Sequence, residues 1–389
     1  MASVRKEVHT PCRDGRPVFP GFVPYVRRAS PVLVHRSGWV DASDTYDDFA
    51  DSFSRDNGQS WSEPRPALRS RESPEGRVRY AENACFFDAE TERLLTFTSR
   101  SLSPRDRHDP DAVWEVVHDA YDPAAELWRG ERPLGVSMPG GLAISFCFPI
   151  LTSRGTLLIP ACGKILGDDG TPVHHRGCWS PLYQAATVRG RRAADGTFAY
   201  SLGGIARIDP EASSRGLSEN TLVELRDGRI AMVARGYNSM FPERPGYKWA
   251  CFSSDDGASW SEPRPFGCDG GEPIESSSTG SALLRCARTR RLYWIGNLCI
   301  RGRRANGNWP RSPLVVAEVD EERFAIVRSS VAVIDEQAPG EPETVQHSNF
   351  RFYQDRQSGE LVLFLTRFGE RDAKEWKRAD YYRYRVRLG

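Results

Sequence analysis

Glu219 and Arg235 stand near the two ends of Leu217-Ser218-Glu219-Asn220-Thr221-Leu222-Val223-Glu224-Leu225-Arg226-Asp227-Gly228-Arg229-Ile230-Ala231-Met232-Val233-Ala234-Arg235. A carboxylate can move protons, and a guanidinium can grip an anion through two parallel bonds. Two apolar runs flank Asp227-Gly228, a pattern that predicts a hairpin with a tight turn. Folding the hairpin brings Glu219 and Arg235 to one rim. As a surface ion pair they would contribute at most ~1 kcal/mol. Their place at the mouth of a hairpin, rather than along its solvated face, is what suggests a site.

The elements that position them recur. Glu82-Asn83 leads an apolar run to Phe87, a turn near Thr91-Glu92 and a return ending at Ser99-Arg100. Ser145 leads to Leu151, a turn at Arg154-Gly155 and a return ending near Lys164. Thr279 leads to a hairpin ending at Asn297, and His347-Ser348-Asn349 to one ending at Arg367. A weaker sixth unit runs from Phe22 to Arg36. Polar residues thus recur at the same phase: Glu82, Asn83, Arg100, Lys164, Glu219, Arg235, Asn297, His347, Asn349 and Arg367. Consecutive units start roughly 60 to 75 residues apart, room for a four-stranded sheet with loops. The apolar segments are short, rich in Val, Leu, Phe and Tyr, and bounded by Gly, Pro, Asp and Ser, which favours strands throughout. Only Asp372 to Arg378 suggests a short helix.

Two further segments are near copies: Ser54-Arg55-Asp56-Asn57-Gly58-Gln59-Ser60-Trp61 and Ser253-Ser254-Asp255-Asp256-Gly257-Ala258-Ser259-Trp260. In each, the Asp can bond nearby amides, the Gly can take positive φ and the Trp can anchor the turn against a sheet. With the six hairpins and the Glu219-Asn220 segment, these boxes make the chain resemble the sialidase (neuraminidase) superfamily, with its Asp-box (BNR) repeats. The resemblance implies an all-β fold, a six-bladed β-propeller of four-stranded antiparallel sheets. It covers roughly Phe22 to Val386 and implies a single domain over 1–389, with 1–20 as an N-terminal segment and about 22–386 as the propeller.

The resemblance also implies roles. Glu219 matches the glutamate that partners the family's nucleophile, and Arg235 one of three arginines that clamp a substrate carboxylate. Arg311 looks like a second clamp arginine, with Arg301 as competitor. The acid/base aspartate should lie shortly before the first box, where Asp41, Asp44, Asp47 and Asp48 stand; Asp48 is carried forward, with Arg36 as a supporting arginine. Arg100, Asn83, Asn297, Asn349 and Arg367 are taken as substrate-binding. Two departures are visible. The family's first clamp arginine has no counterpart in Phe22-Val23-Pro24-Tyr25, although Arg27 and Arg28 are near. Its nucleophilic tyrosine is replaced in Gln346-His347-Ser348-Asn349, and His347 beside Glu219 is the expected proton acceptor instead.

Composition bounds the partners. The chain has 53 basic and 52 acidic residues, a net charge of +1, which favours neither nucleic acid nor an anionic membrane. No run reaches the roughly 18 apolar residues of a membrane span. No secretory signal is read at the start, so a cytoplasmic location is expected unless a signal has been removed. The nine cysteines are irregularly spaced and are read as packed thiols. No cofactor or metal is expected, since no ligand spacing such as His-Glu-x-x-His occurs; the oligomeric state is left open. The expected partner is an acidic carbohydrate. Three activities follow: a sialidase-like exo-glycosidase on a terminal acidic sugar, a uronate-directed lyase with His347 as base, or a non-catalytic acidic-glycan-binding propeller.

Overall fold

Asp227-Gly228 does close a hairpin: Ser218–Glu224 pairs antiparallel with Ile230–Arg235, and Gly228 takes φ 83°. Every residue of Ile230–Arg235 is buried, so this strand has sheet neighbours on its edges and other sheets on its faces. An apolar strand of that kind is stable only if both faces are covered. The rest of the chain supplies the cover.

The computed structural model describes residues 3–13, 15–42, 45–103, 112–144, 146 and 148–389, with the backbone alone at 41, 42 and 45–47. Six small antiparallel sheets, mostly four-stranded, are arranged as a six-bladed β-propeller. Blade 1 comprises Val18–Phe22, Leu33–Ala42, Thr45–Ser54 and Arg65–Arg69. Blade 2 comprises Gly76–Asp88, Arg93–Ser103 and Trp114–Asp122, edged by Leu127–Trp128; a single pairing, Tyr46 with Tyr80, joins it to blade 1. Blade 3 runs from Ile150–Leu151 through Thr156–Lys164 and Tyr183–Arg192 to Phe198–Ala206. Blade 4 adds Lys248–Ser253 and Arg264–Pro265 to the Glu219 hairpin, and blade 5 is built on Ala282–Arg285, Leu292–Asn297 and Leu314–Asp320. Blade 6 takes Arg351–Gln354, Leu361–Thr366 and Tyr381–Arg387 from one end of the chain and Ser3–Thr10 from the other. Ser3–Thr10, within the expected N-terminal segment, and Val18–Phe22 are therefore strands of blades 6 and 1.

A separate apolar layer lies between each pair of neighbours. Phe22, Val34, Leu94 and Tyr121 join blades 1 and 2; Phe97, Val116, Ile159 and Val188 join 2 and 3. Leu158, Ala185, Leu222 and Met232 join 3 and 4; Val233, Ala250, Trp294 and Val315 join 4 and 5. Ile295, Leu314, Leu363 and Tyr384 join 5 and 6, and Leu33, Tyr25, Val362 and Phe364 close the ring from 6 to 1. Each fully buried large side chain contributes about 1.5–3 kcal/mol, so every interface of the ring contributes to holding it closed.

The two repeated boxes connect the third and fourth strands of blades 1 and 4 and fold alike. Asp56 Oδ1 accepts from the amides of Gln59 and Ser60, and Ser54 Oγ accepts from the Gly58 amide at 2.8 Å. Asp255 Oδ1 accepts from the Ser259 amide at 2.9 Å, and Ser253 Oγ from the Gly257 amide at 2.8 Å. Hydrogen bonds from Ser60 and Ser259 hold the two carboxyls down at about 2. Asp372 to Arg378 forms turns, not the expected helix. The short amide-binding side chain of Asp372 caps Lys374 and Glu375 locally and ends the pattern there.

Candidate functional site

The innermost strands leave a cavity of about 390 Å³ at one end of the axis, within the roughly 300–1,000 Å³ of ordinary ligand pockets. Five residues singled out from the sequence line it: Glu82, Glu219, Arg235, Arg311 and Asn349. They come from blades 2, 4, 5 and 6, or from the loops leading into them.

The local backbone explains how Glu219 gets there. The register of the blade 4 hairpin shifts between Ser218 and Thr221, and Glu219 adopts φ 44°. A bulge re-aims a side chain that the pleat would send to a blade face. Asn349 has φ 56° and Phe146 φ 49° at the corresponding places in blades 6 and 3. Non-glycine residues in this region cost about 1–3 kcal/mol each and cluster at functional sites. Phe146 lies under the floor, packed at 4.9 Å on Phe350.

Arg235 bonds Glu219 Oε1 through Nη1 and donates from Nη2 to Asn308 Oδ1 at 2.9 Å. The other oxygen of Glu219 is buried and has no hydrogen-bond partner among the described residues. The guanidinium of Arg235 lies 4.7 Å from the centre of the Tyr237 ring, and Arg215 lies 4.3 Å from it. Arg215 also lies 4.8 Å from the ring centre of Trp179 and donates to Ser180 at 2.7 Å. Arg311 donates to Gln346 at 2.8 Å and to Ser348 at 3.3 Å. Three guanidinium groups therefore line one cavity, and a charged anionic ligand is the complement. Trp114, Trp179, Trp309 and Trp376 complete the walls, aromatic faces on which a ligand's apolar face can lie.

Lys248, paired with Arg235 across the sheet, is wholly buried beneath the site. It donates to the carbonyls of Ser277 and Thr279 at 2.8 and 2.5 Å, tying blade 4 to the lead-in of blade 5. Burial drives its pKa down to about 7; the charge of Arg235 adds to that, and Glu219 opposes it.

His347 does not join the site. It is completely buried, with Nε2 3.2 Å from Arg367 Nε and 3.5 Å from Asp335 Oδ2. Burial, with Arg367 and Lys6 adding, pushes its pKa down to about 4 against the pull of Asp335 and Glu341. Its neighbours Gln346 and Asn349 line the cavity while its own ring turns into the blade. Arg367 faces the same interior, paired with Asp335, Glu341 and Glu370.

The remaining expectations also part from the cavity. Arg36 is buried in a bidentate pair with Asp51, both bonds 2.8 Å. Arg100 is held by Glu115 and Glu131. Asn83 bonds the Ala81 carbonyl and Thr98, and lines a separate 220 Å³ cavity. Asn297 is spent on the carbonyls of Arg311, Pro313 and His347. Lys164 reaches the Ala112 carbonyl. Arg301 is exposed and paired with Glu336. Asp48 is exposed and accepts from the Ser70 amide at 3.3 Å; the side chains of Asp41, Asp44 and Asp47 lie outside the described residues. Arg27 lines another cavity on the outer side of blade 1. In most of these cases a neighbouring charge or carbonyl, distant in sequence, had already claimed the group.

Arg215, Tyr183, Tyr237 and the tryptophans were not read as site residues. Arg215 carried one signal, a lone cation in the small polar lead-in Ser213-Ser214-Arg215-Gly216 just before Glu219. Neither tyrosine couples to Glu219: the Tyr237 hydroxyl meets Ser218 Oγ at 2.6 Å, and Tyr183 bonds Ser180.

No family model matches the chain, and no curated protein matches it in sequence. Solved structures do match. A protein of unknown function from Dyadobacter fermentans superposes with TM-score 0.66 at 10% identity, over 99% of both chains. The intramolecular trans-sialidase of Ruminococcus gnavus, solved with oseltamivir carboxylate, gives 0.63 at 11% identity over 97% of both chains. The NanB sialidase of Streptococcus pneumoniae, as its K499G mutant, gives 0.63 at 12% identity, over 98% of this chain and 70% of that one. The chain has the sialidase-like six-bladed propeller fold.

Proposed function

We propose that the protein is a glycosidase that binds a terminal acidic sugar in the 390 Å³ cavity and cleaves the bond that joins it to the rest of a glycan. The observation that carries this reading is the meeting of Arg215, Arg235 and Arg311 with Glu219 in one cavity walled by aromatic rings. The arginines would hold the sugar's carboxylate, Trp and Tyr rings its apolar face, and Glu219 would serve the reaction at the anomeric carbon. Similarity of fold to sialidases raises the prior for an acidic sugar and nothing finer.

A lyase built on His347 loses its base, because that ring is sealed from the cavity. A non-catalytic acidic-glycan-binding propeller is the second reading, favoured by the lack of a tyrosine hydroxyl on Glu219 among the described residues. The test is release of 4-methylumbelliferone from its sialic acid and uronic acid glycosides, set beside calorimetric binding of the free acids. Turnover abolished in Glu219→Gln supports the glycosidase. Binding without turnover of aryl or glycan substrates leaves the binding protein, and no binding of any acidic sugar rejects both.

A further inference from the structure

Among the described residues two carboxylates, Glu82 and Glu219, line the cavity, and the reading above uses one. Glu82 is presented in the same way as Glu219. It lies on the innermost strand of blade 2, where the register shifts between Tyr80 and Asn83, so it too sits on a bulge at the axial end of its blade. The side chains are similarly shielded, 16% exposed for Glu82 and 15% for Glu219. Each is held by its own arginine: Arg235 for Glu219, and Arg351 for Glu82. Arg351 is itself fixed from outside the cavity, donating to the Gly21 carbonyl at 2.7 Å and the Phe350 carbonyl at 3.0 Å. Blades 2 and 4 are separated by blade 3, so the two acids approach the cavity from different walls.

We infer that Glu82 is the proton donor of the reaction and Glu219 its base, a carboxylate pair that does without a tyrosine nucleophile. The inference rests on the glycosidase reading. Burial raises the Glu82 carboxyl above its ordinary value, and the negative charge of Glu219 adds to the rise while Arg351 opposes it. A carboxyl that tends to keep its proton, facing a second carboxylate across one cavity, is suited to the donor role. The step balances as a hydrolysis. Glu82 gives its proton to the glycosidic oxygen as the bond from that oxygen to the anomeric carbon breaks. Water forms the new bond to the anomeric carbon and gives a proton to Glu219. The sugar leaves as the free acid with a hydroxyl, the remainder of the glycan as an alcohol, and solvent returns the proton from Glu219 to Glu82.

The test compares leaving groups. Glu82→Gln keeps a hydrogen-bond acceptor for Arg351 but has no proton to give. On an aryl glycoside, whose phenolate departs without help, the variant should retain activity within about 10-fold. On a glycoside with a sugar leaving group it should lose the roughly 10²–10⁴-fold of general acid catalysis. The alkaline limb of the kcat/KM profile should disappear with it, and Glu82→Asp should restore part of both. Equal losses on the two substrates would make Glu82 a structural partner of Arg351 and overturn the assignment, as would no loss at all. A wild-type protein that binds the acidic sugar but cleaves neither substrate also overturns it and leaves the binding reading standing. A wild-type protein that binds no acidic sugar removes the reading beneath it.

Discussion

Replacing Arg235 by Met removes a cation and keeps most of the volume, so its effects can be separated. In the folded protein Arg235 faces Glu219, Asn308 and the Tyr237 ring, with side-chain exposures of 10% for the arginine and 15% for the glutamate. Breaking a buried pair costs about 3–5 kcal/mol, and an exposed one at most ~1. A pair on the wall of a solvent-filled cavity falls between, at about 2–3 kcal/mol. With an unfolding entropy of about 2 cal/mol/K per residue, a chain of 389 residues loses about 0.8 kcal/mol per degree near its midpoint. Arg235→Met should therefore lower Tm by about 3 °C without ligand. Binding should suffer more. A lost charge-assisted contact of about 1.5–3 kcal/mol corresponds to a 10- to 150-fold weaker Kd for an acidic sugar, while its carboxamide or reduced analogue should change little. Scanning calorimetry reads the first quantity, titration calorimetry the second. Unchanged selectivity between the acid and its neutral analogue would refute the placement of a substrate carboxylate at Arg235.

Three other perturbations probe the floor and the surroundings of the site. A Cβ on Gly280 would lie 2.5 Å from Phe146 Cδ1 and 3.1 Å from Glu219 Oε2, so Gly280→Ala should cost about 1–3 kcal/mol by overpacking and disturb Glu219; a melt and a binding isotherm identical to wild type would contradict this geometry. Lys248 has a folded pKa near 7, below its unfolded value. Between pH 7 and about 10 the unfolded chain holds one more proton, and stability should rise with pH across that window. Lys248→Met should flatten the rise, and an undiminished slope in urea titrations would count against a buried ammonium. His347, at about 4, is depressed below its unfolded value, so the stability tied to its neutral form is present above about pH 6.5 and is lost as pH falls through 4. His347→Gln should soften acid unfolding in that range and leave neutral-pH turnover within about 10-fold; abolished turnover would return His347 to the chemistry.

The blades were legible in the sequence because their signal is local. Alternating apolar runs, Asp-Gly and Ser-Gly turns and two long near-copies specify strands and hairpins whatever the rest of the chain does. Recurrence of those units at similar spacing then requires neighbours to cover each sheet, which leads to a ring. Two structural details escaped. Ser3–Thr10 was not assigned to blade 6, because closure pairs residues from opposite ends of the chain. The expected helix at Asp372 to Arg378 dissolved into turns capped by Asp372.

The site was legible only as a list of hairpin ends. Sequence alone determined that a glutamate and an arginine share the mouth of one hairpin, since a two-stranded unit fixes that contact by itself. Which other polar residues turn toward them was decided by tertiary structure. Adjacent side chains of an extended chain point opposite ways, so Gln346 lines the cavity while His347 is walled in, and the positive φ of Asn349 turns the next-but-one side chain back to the cavity. Arg36, Arg100 and Arg367 meet Asp51, Glu115 and Asp335, carboxylates from other strands that no local pattern assigns to them. Arg215, Trp179, Trp309 and Trp376 enter from segments between strands whose course is set by packing between blades. Charge finds its partner by proximity, and proximity across a ring of six sheets is a property of the assembled fold.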